Sequence, residues 1–557
     1  MASRIHSSKV AVFWWVSAFA LIPVLISPNQ NMDAINLVKM SALSFFAFGS
    51  IALLRQINLK KFFSKFLVGL VLAYTLGLTS STFAHEASFF SEFWGAQGRN
   101  TGVLTLVSFA IIYLVLSLSP GRSISRAVFL SIPLVGVSNI FYGLVQFLGK
   151  DPIDWSNPYS PIVGTLGNPN FISSHLGLVS SACLIVAFSW GAEDGARKMV
   201  IIPLLLFESL LGVFVIWKSQ SIQGLLVFAI VLFTFLLAFV IRKLNNKILV
   251  AMILLFSVAT GVILSLGFYG KGVFGSLLYR ESFVHRTNFW QAGLEMLKSN
   301  PFFGVGIDQF GDYYRQFRNS YAVQLRGPAV TTDSAHNIPI DIGAGGGILV
   351  LLLFLALQAI TLYCGIRLIM NRRDPEWVSI GIFALWIGYS AQTLISINQI
   401  GVSIWGWMLA GLIVSRYREM NLQEKLQEKV ENTSSPMQLW KILTLAIIGL
   451  LVSLPPLLQD RAFRQALASQ NGQRIIEVSE SKPDNVFFLN YSSLILKSNG
   501  YKEKALELAK RSIEINPRNY VGWRMIMELS PEGSVQYIKA VKTLKSLDPL
   551  NSDLPKI

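Results

Sequence analysis

A histidine, an asparagine and two aspartates stand where a long apolar run begins. The string is Asp333-Ser334-Ala335-His336-Asn337-Ile338-Pro339-Ile340-Asp341, followed by Ile342-Gly343-Ala344-Gly345-Gly346-Gly347. Imidazole titrates near neutral pH, so His336 is a candidate general base. Asn337 shares its position at the mouth of an apolar helix. Asp341 lies about one turn deeper, where a carboxylate costs several kcal/mol unless it is paired or wet. The glycine cluster lets another helix, or a lipid substrate, approach the backbone closely. Upstream, Arg286 and Trp290 lead into an amphipathic helix over 291–299, broken at Asn300-Pro301. The chain continues as Phe302-Phe303-Gly304-Val305-Gly306, then through a stretch with Arg315, Arg318 and Arg326. Each of these residues also has a plainer use. Arg286 beside Trp290 suits an anchor at a membrane boundary. His336 suits a helix cap, Asp341 a buried partner for a neighbouring helix, and the three arginines a soluble loop.

The elements that position these residues follow from composition. Of 557 residues, 52% are hydrophobic and only 14% charged, where soluble domains carry roughly 25% charged residues. Mean hydropathy is +0.51. Apolar runs recur at 11–26, 66–78, 200–217, 225–241, 348–360 and 442–454. Several reach about 20 residues once their less apolar ends are counted, enough to span a hydrocarbon core. The expected fold is all-α: a polytopic membrane protein of 12–13 transmembrane helices, not a soluble enzyme. Helices are expected near 10–27, 33–54, 65–83, 101–118, 126–148, 172–190, 199–217, 222–241, 247–267, 338–369, 376–397, 399–415 and 438–457. Arg4 and Lys9 precede the first run and no small-x-small cleavage site follows it, as expected of an uncleaved first helix. Cys183 and Cys364 both lie in apolar runs, which argues against a disulfide framework and a cysteine metal site.

The net charge of +16 invites a nucleic-acid partner, but its placement argues for topology. Alternate connections hold Arg55/Lys60/Lys61/Lys65, Arg122/Arg126, Arg197/Lys198, Arg242/Lys243/Lys247, Arg367/Arg372/Arg373 and Arg416/Arg418. The basic side is cytoplasmic by the positive-inside rule, with the N-terminus on it. Thirteen spans then place the C-terminal tail outside. Three outer segments, 84–100, 149–171 and 268–337, are longer than connection requires, and long loops tend to carry function.

The expected domains are a membrane part, 1–457, and a polar helical tail, 458–557. In the tail Pro483, Pro517 and Pro549 end similar segments, 34 and 32 residues apart; the tetratricopeptide period is 34. With Gly500, Ala505, Ala509 and Pro517 at pattern positions, the tail resembles tetratricopeptide repeats, whose stacked helix pairs offer a surface to a protein partner. Ser512 departs from the pattern, which usually has alanine there.

The order of these strings resembles the O-antigen ligase superfamily over roughly 90–415. That group includes lipopolysaccharide O-antigen ligases, Wzy-type polysaccharide polymerases and bacterial protein O-oligosaccharyltransferases. The resemblance rests on Arg286-x-x-x-Trp290, Pro301-Phe302-Phe303-Gly304-Val305-Gly306 and His336-Asn337 with its glycines. Gln97-Gly98-Arg99-Asn100-Thr101-Gly102 and Gly167-Asn168-Pro169-Asn170 fit as well. It implies a glycosyl transfer without metal or cofactor, from a glycan on undecaprenyl diphosphate to a hydroxyl of a lipid A core sugar, a glycan or a protein. By analogy His336 would deprotonate the acceptor and Arg286, with Arg99, would hold the diphosphate. Asn337, Arg315 and Arg318 are further candidates for substrate contact. Many relatives carry Ser-Arg-Gly at the outer start of a middle helix. Here the stretch reads Lys218-Ser219-Gln220-Ser221-Ile222-Gln223-Gly224. Lys218 is the candidate replacement, a point charge in place of a guanidinium fork. The implied location is the bacterial inner membrane, with membrane lipid around the helices.

A transporter or flippase of an anionic substrate is the competing class. It would be expected to place charges near the bilayer midplane in two matching halves. Glu208 is the clearest intramembrane carboxylate, and the polar residues cluster instead in one outer loop.

Overall fold

The computed structural model describes residues 2–56, 62–85, 88–155, 157, 160–191, 198–243, 247–272, 275–278, 281–371, 377–423 and 439–556. The expected cytoplasmic cations Lys60, Lys61, Arg197, Arg372 and Arg373 lie outside the described residues.

Each of the thirteen apolar segments forms a helix. The first ten helices are α1 (Ala2–Val24), α2 (Asn36–Ile51), α3 (Phe62–Ser81), α4 (Phe89–Trp94), α5 (Val103–Leu118), α6 (Gly121–Phe147), α7 (Pro169–Gly191), α8 (Lys198–Lys218), α9 (Gln223–Lys243) and α10 (Lys247–Phe268). Four short or polar helices follow: α11 (Gly275–Leu278), α12 (Glu281–Ser299), α13 (Phe310–Phe317) and α14 (Ser320–Arg326). The apolar pattern resumes in α15 (Ile338–Met370), α16 (Trp377–Thr393), α17 (Ile400–Gln423) and α18 (Leu439–Ala468). Among the described residues, nine helices are long and apolar enough to cross a membrane by length and composition, and three shorter ones are apolar. This is an all-α, multi-pass membrane protein.

The bundle has an inside and a lipid-facing side. α17 is the central post. Its Trp405 stacks on Phe19 of α1 at 4.4 Å between ring centroids and donates to the Phe19 carbonyl at 2.9 Å. α8 and α9 lie outside, with Leu204, Phe207, Leu210, Phe233 and Leu236 exposed. Apolar surface so exposed along whole helices is stable only against lipid.

α15 is broken where the glycines fall. Gly347 has φ 81°, and the backbone kinks there. The groups freed by the kink bond the turn 301–306. Val305 N–H donates to the Ala344 carbonyl at 2.8 Å, Gly306 N–H to Gly345 at 3.0 Å, and Ile348 N–H to Pro301 at 2.7 Å. Irregular backbone at membrane depth persists only where protein satisfies it in this way. A Cβ at Gly304 or Gly347 would overlap the facing backbone. The close approach expected of the glycine cluster is therefore made by this chain's own turn. The amphipathic helix expected over 291–299 starts earlier, at Glu281, so Arg286 sits within α12.

α18 runs on past position 457 into the tail, where α19 (Gly472–Glu480), α20 (Val486–Ser498), α21 (Lys502–Ile515), α22 (Tyr520–Leu529) and α23 (Val535–Leu547) pack in sequence. Ala505 and Ala509 are fully buried between these helices. The tail docks on α13. Asp548 accepts from Arg315 at 3.0 Å and from Arg318 at 2.6 Å, and Asn516 donates to Asp312 at 2.6 Å.

Candidate active site

The three long segments meet at one end of the bundle. Asp308 joins two of them. Its carboxylate accepts from Ala96 N–H at 2.9 Å, Thr101 N–H at 3.1 Å and the Thr101 hydroxyl at 2.8 Å. Burial pushes this carboxyl up to about 6, against the hydrogen bonds from Thr101 and the charge of Arg99. A second clamp is His85. Its Nδ1 lies 3.0 Å from Glu92 and its Nε2 3.1 Å from the Gly304 carbonyl. The Nε2 contact is a hydrogen bond, whereas the Nδ1 contact is an ion pair without hydrogen-bond geometry, which favours the protonated ring. Burial opposes that charge, but Glu92 outweighs it and raises the histidine above its ordinary value. Glu92 also accepts from Ile307 N–H at 3.1 Å.

Within this frame the loop before α15 presents His336. Asp341 accepts from the Ser334 hydroxyl at 2.6 Å and Ala335 N–H at 2.6 Å. The Ser334 hydroxyl in turn accepts from His336 N–H at 3.0 Å. This holds His336 in a left-handed conformation, φ 53°, which costs a non-glycine residue of order 1 kcal/mol or more and is found where a site over-determines it. The ring lies 5.5 Å from that of Phe289 on α12. Burial lowers His336 first, and the charges of Arg286 and Arg99 lower it further, to about 4. The imidazole is therefore neutral at physiological pH and able to accept a proton.

Arg286 supplies the positive charge. It is 7% exposed, its guanidinium lies over the Phe283 ring at 5.1 Å, and among the described residues no carboxylate or hydrogen-bond acceptor pairs with it. A buried guanidinium without a counter-ion is costly; burial lowers its pKa. Arg99 differs, because it forks onto Asp333, with Nε 2.7 Å from Oδ2. Burial raises Asp333, but the charge and bonds of Arg99 outweigh this and hold it below the ordinary carboxylate value.

A cavity of about 640 Å³ opens beside His336. Arg99 and Asp333 line it with the histidine, and so do the 28–36 connection, Trp155, Asn168, Asn170, Gln223, 396–399, Arg464 and Phe487. Of the residues given a chemical role from the sequence, His336 and Arg99 line this cavity, as do Asn168 and Asn170 of the quoted 167–170 string, and Arg286 acts on His336 through its charge. The others lie apart. Asn337 caps α15, accepting from Ile340 N–H at 3.1 Å and donating to the Leu394 carbonyl at 3.0 Å. Arg315 and Arg318 are held by Asp548 and by the Pro328 carbonyl, at 3.1 and 2.9 Å respectively. Lys218 lies over the Trp217 ring at 4.3 Å and near Phe147 and Phe214. Asp333, His85, Glu92, Gln223 and Arg464 were not singled out as site residues from the sequence. Asp333 opens the His336 string and Gln223 lies in the 218–224 stretch set against Ser-Arg-Gly, whereas Arg464 carried no local signal. Among the described residues no group of three or more His, Cys, Asp and Glu side chains is placed to hold a metal ion.

Fold and site together define a multi-pass membrane protein with a polar site at one end of its bundle, built on a broken helix. Residues 207–355 match the family model described as O-antigen ligase. Over that segment the chain is similar to the O-antigen ligase family, whose members are ligase- and polymerase-type membrane glycosyltransferases. The matched stretch contains Arg286, the 301–306 turn and His336. No curated protein matches the chain.

Proposed function

We propose that the protein transfers a glycan from undecaprenyl diphosphate to an acceptor hydroxyl at the outer face of the bacterial cytoplasmic membrane. The observation that carries this reading is a buried Arg286 with no counter-ion among the described residues, on the helix whose Phe289 ring lies 5.5 Å from that of His336. The anomeric C–O bond to the diphosphate breaks, and the diphosphate leaves with the electron pair. Arg286 meets the growing charge with a forked guanidinium. One well-placed donor of this kind contributes about 3–4 kcal/mol to such a step. The acceptor oxygen bonds the anomeric carbon and its proton passes to neutral His336. The same reaction serves ligation to a lipid A core sugar, polymerisation of a glycan, or transfer to protein. No cofactor is needed, because the guanidinium supplies the positive charge. Arg99, already neutralised by Asp333, shapes the wall beside the base.

The outer placement rests on the basic connections at the other end of the bundle. The tail follows on the same side as the site, with helix pairs similar to tetratricopeptide repeats; its turns at 516–520 and at Asp548 are engaged by α13.

The test is transfer by the reconstituted full-length protein, with undecaprenyl-diphosphate-linked glycan from its own source and lipid, glycan and protein acceptors present. Wild type should release undecaprenyl diphosphate as an acceptor gains mass, and His336→Ala should lose both. Folded wild type that consumes no donor would overturn the reading and direct attention to transport.

A further inference from the structure

Arg286 shares its support with a second polar group. Its guanidinium lies 5.1 Å from the centre of the Phe283 ring, one turn back on α12. The Tyr269 ring packs on the same phenylalanine, at 6.1 Å between centroids and at right angles. Phe283 is 5% exposed, so both groups rest on a fixed surface. Tyr269 follows the last residue of α10, where its N–H donates to the Leu266 carbonyl at 3.1 Å. Among the described residues its hydroxyl has no hydrogen-bond partner, and neither has the guanidinium of Arg286. Burial pushes the Tyr269 phenol up, and the charge of Arg286 offsets only part of this, so the phenol keeps its proton and can donate. Transfer needs a cation behind the leaving group; it does not by itself call for a phenol beside that cation.

The surroundings define what kind of ligand arrives here. Met252, Leu255, Phe256, Val258 and Val262 of α10 are each more than half exposed, which makes α10 a lipid-facing helix. A ligand that reaches Tyr269 along α10 therefore comes from the bilayer. A guanidinium and a phenol with no acceptor to hand match an anion rich in oxygens. The guanidinium fork covers two oxygens of one phosphoryl group, and a phenol beside it is placed for an oxygen of the next.

We propose that Tyr269 holds the second phosphoryl group of a lipid-borne diphosphate, and so makes the site choose a diphosphate carrier over a monophosphate one. The inference rests on the transferase reading for the identity of the donor, but not for the binding of the headgroup. The Tyr269 hydroxyl donates to a non-bridging oxygen and keeps its proton. That bond strengthens as negative charge grows on the departing diphosphate. A monophosphate lacks the second group and leaves Tyr269 unused.

The experiment has two arms on the full-length protein in lipid nanodiscs. The first is calorimetric titration, without acceptor, with geranyl diphosphate, geranyl monophosphate and inorganic diphosphate. Wild type should bind geranyl diphosphate about tenfold or more tighter than the monophosphate, the size of one hydrogen bond to a charged group, and tighter than inorganic diphosphate. Tyr269→Phe keeps the ring on Phe283 and removes only the hydroxyl. It should melt as wild type does, lose about tenfold in affinity for geranyl diphosphate and lose nothing for the monophosphate. Arg286→Lys should weaken both. The second arm is transfer kinetics, where Tyr269→Phe should lower kcat/KM for the donor about tenfold. An unchanged preference or an unchanged kcat/KM in Tyr269→Phe would overturn the proposal. So would an equal loss for both lipids, or inorganic diphosphate bound as tightly as the geranyl form. A diphosphate preference that depends on the hydroxyl, with no turnover by wild type, would sink the transferase reading and leave the carrier site standing.

Discussion

At the scale of single residues the site combines a positive charge that has no counter-ion among the described residues with a base kept neutral. Lysine at 286 would keep the charge and lose the fork. Arg286→Lys should therefore lower kcat by on the order of 100-fold while the protein still elutes as a folded species from size exclusion; turnover at the wild-type rate would make Arg286 a boundary anchor instead. His336 carries a pH signature. With its value near 4, kcat/KM for the free enzyme should stay level from pH 8 down to about 5 and fall as protonation sets in below that. A limb near pH 6.5 would show an imidazole in contact with bulk water. The same shift has a sign for stability. Between the ordinary histidine value and about 4, the unfolded chain binds a proton that the folded chain does not. The contribution of His336 is thus complete above that window and lost as pH falls through it. Since arginine supplies the charge, turnover should also survive dialysis against a chelator; loss that only added metal restores would refute the mechanism.

At the scale of elements, α15 is two pieces of helix bridged by a turn from elsewhere in the chain. The break frees backbone groups, the 301–306 turn takes them up, and the loop bearing His336 is set by Asp341 on the first piece. Alanine at 347 would demand a positive φ from a residue with a Cβ and drive that Cβ into the Phe302 carbonyl. Gly347→Ala should cost at least about 2 kcal/mol, seen as a lower melting temperature in detergent and loss of transfer. An unchanged melt would mean that the turn is not clamped there. His85 closes the same turn from the other side. Its raised value gives stability that is complete below the ordinary histidine value and fades as pH rises through the raised one.

At the scale of the whole molecule, the tail holds the loop that carries the base. Asp548 is fully buried and faces Arg315 and Arg318, the latter with a side chain only 1% exposed. Removing one partner of a buried pair costs about 3–5 kcal/mol, because the remaining charge is stranded. Asp548→Asn should release α13 from the tail and speed protease cleavage within 327–332, while the membrane helices keep their circular dichroism. Cleavage at the wild-type rate would show that the other contacts, Asn516 to Asp312 among them, hold the loop without this pair.

Sequence alone determined the membrane class, because apolar runs long enough to cross a bilayer have few other stable environments. All thirteen helices were legible for that reason. So were His336 and Arg286, whose side chains stand out against apolar neighbours and inside recognisable strings. The partners of those residues were not legible. Asp333 lies 234 residues from Arg99, and Asp548 lies 230 from Arg318; side chains so far apart meet only when the chain folds. The tertiary structure therefore decided which arginine is free and which is neutralised. It also decided that the glycine cluster seats a turn of the same chain, and that the tail forms part of the cavity wall. Local pattern reports the solvent each segment needs, whereas charge pairing and cavity shape depend on contacts between segments that the local pattern does not record.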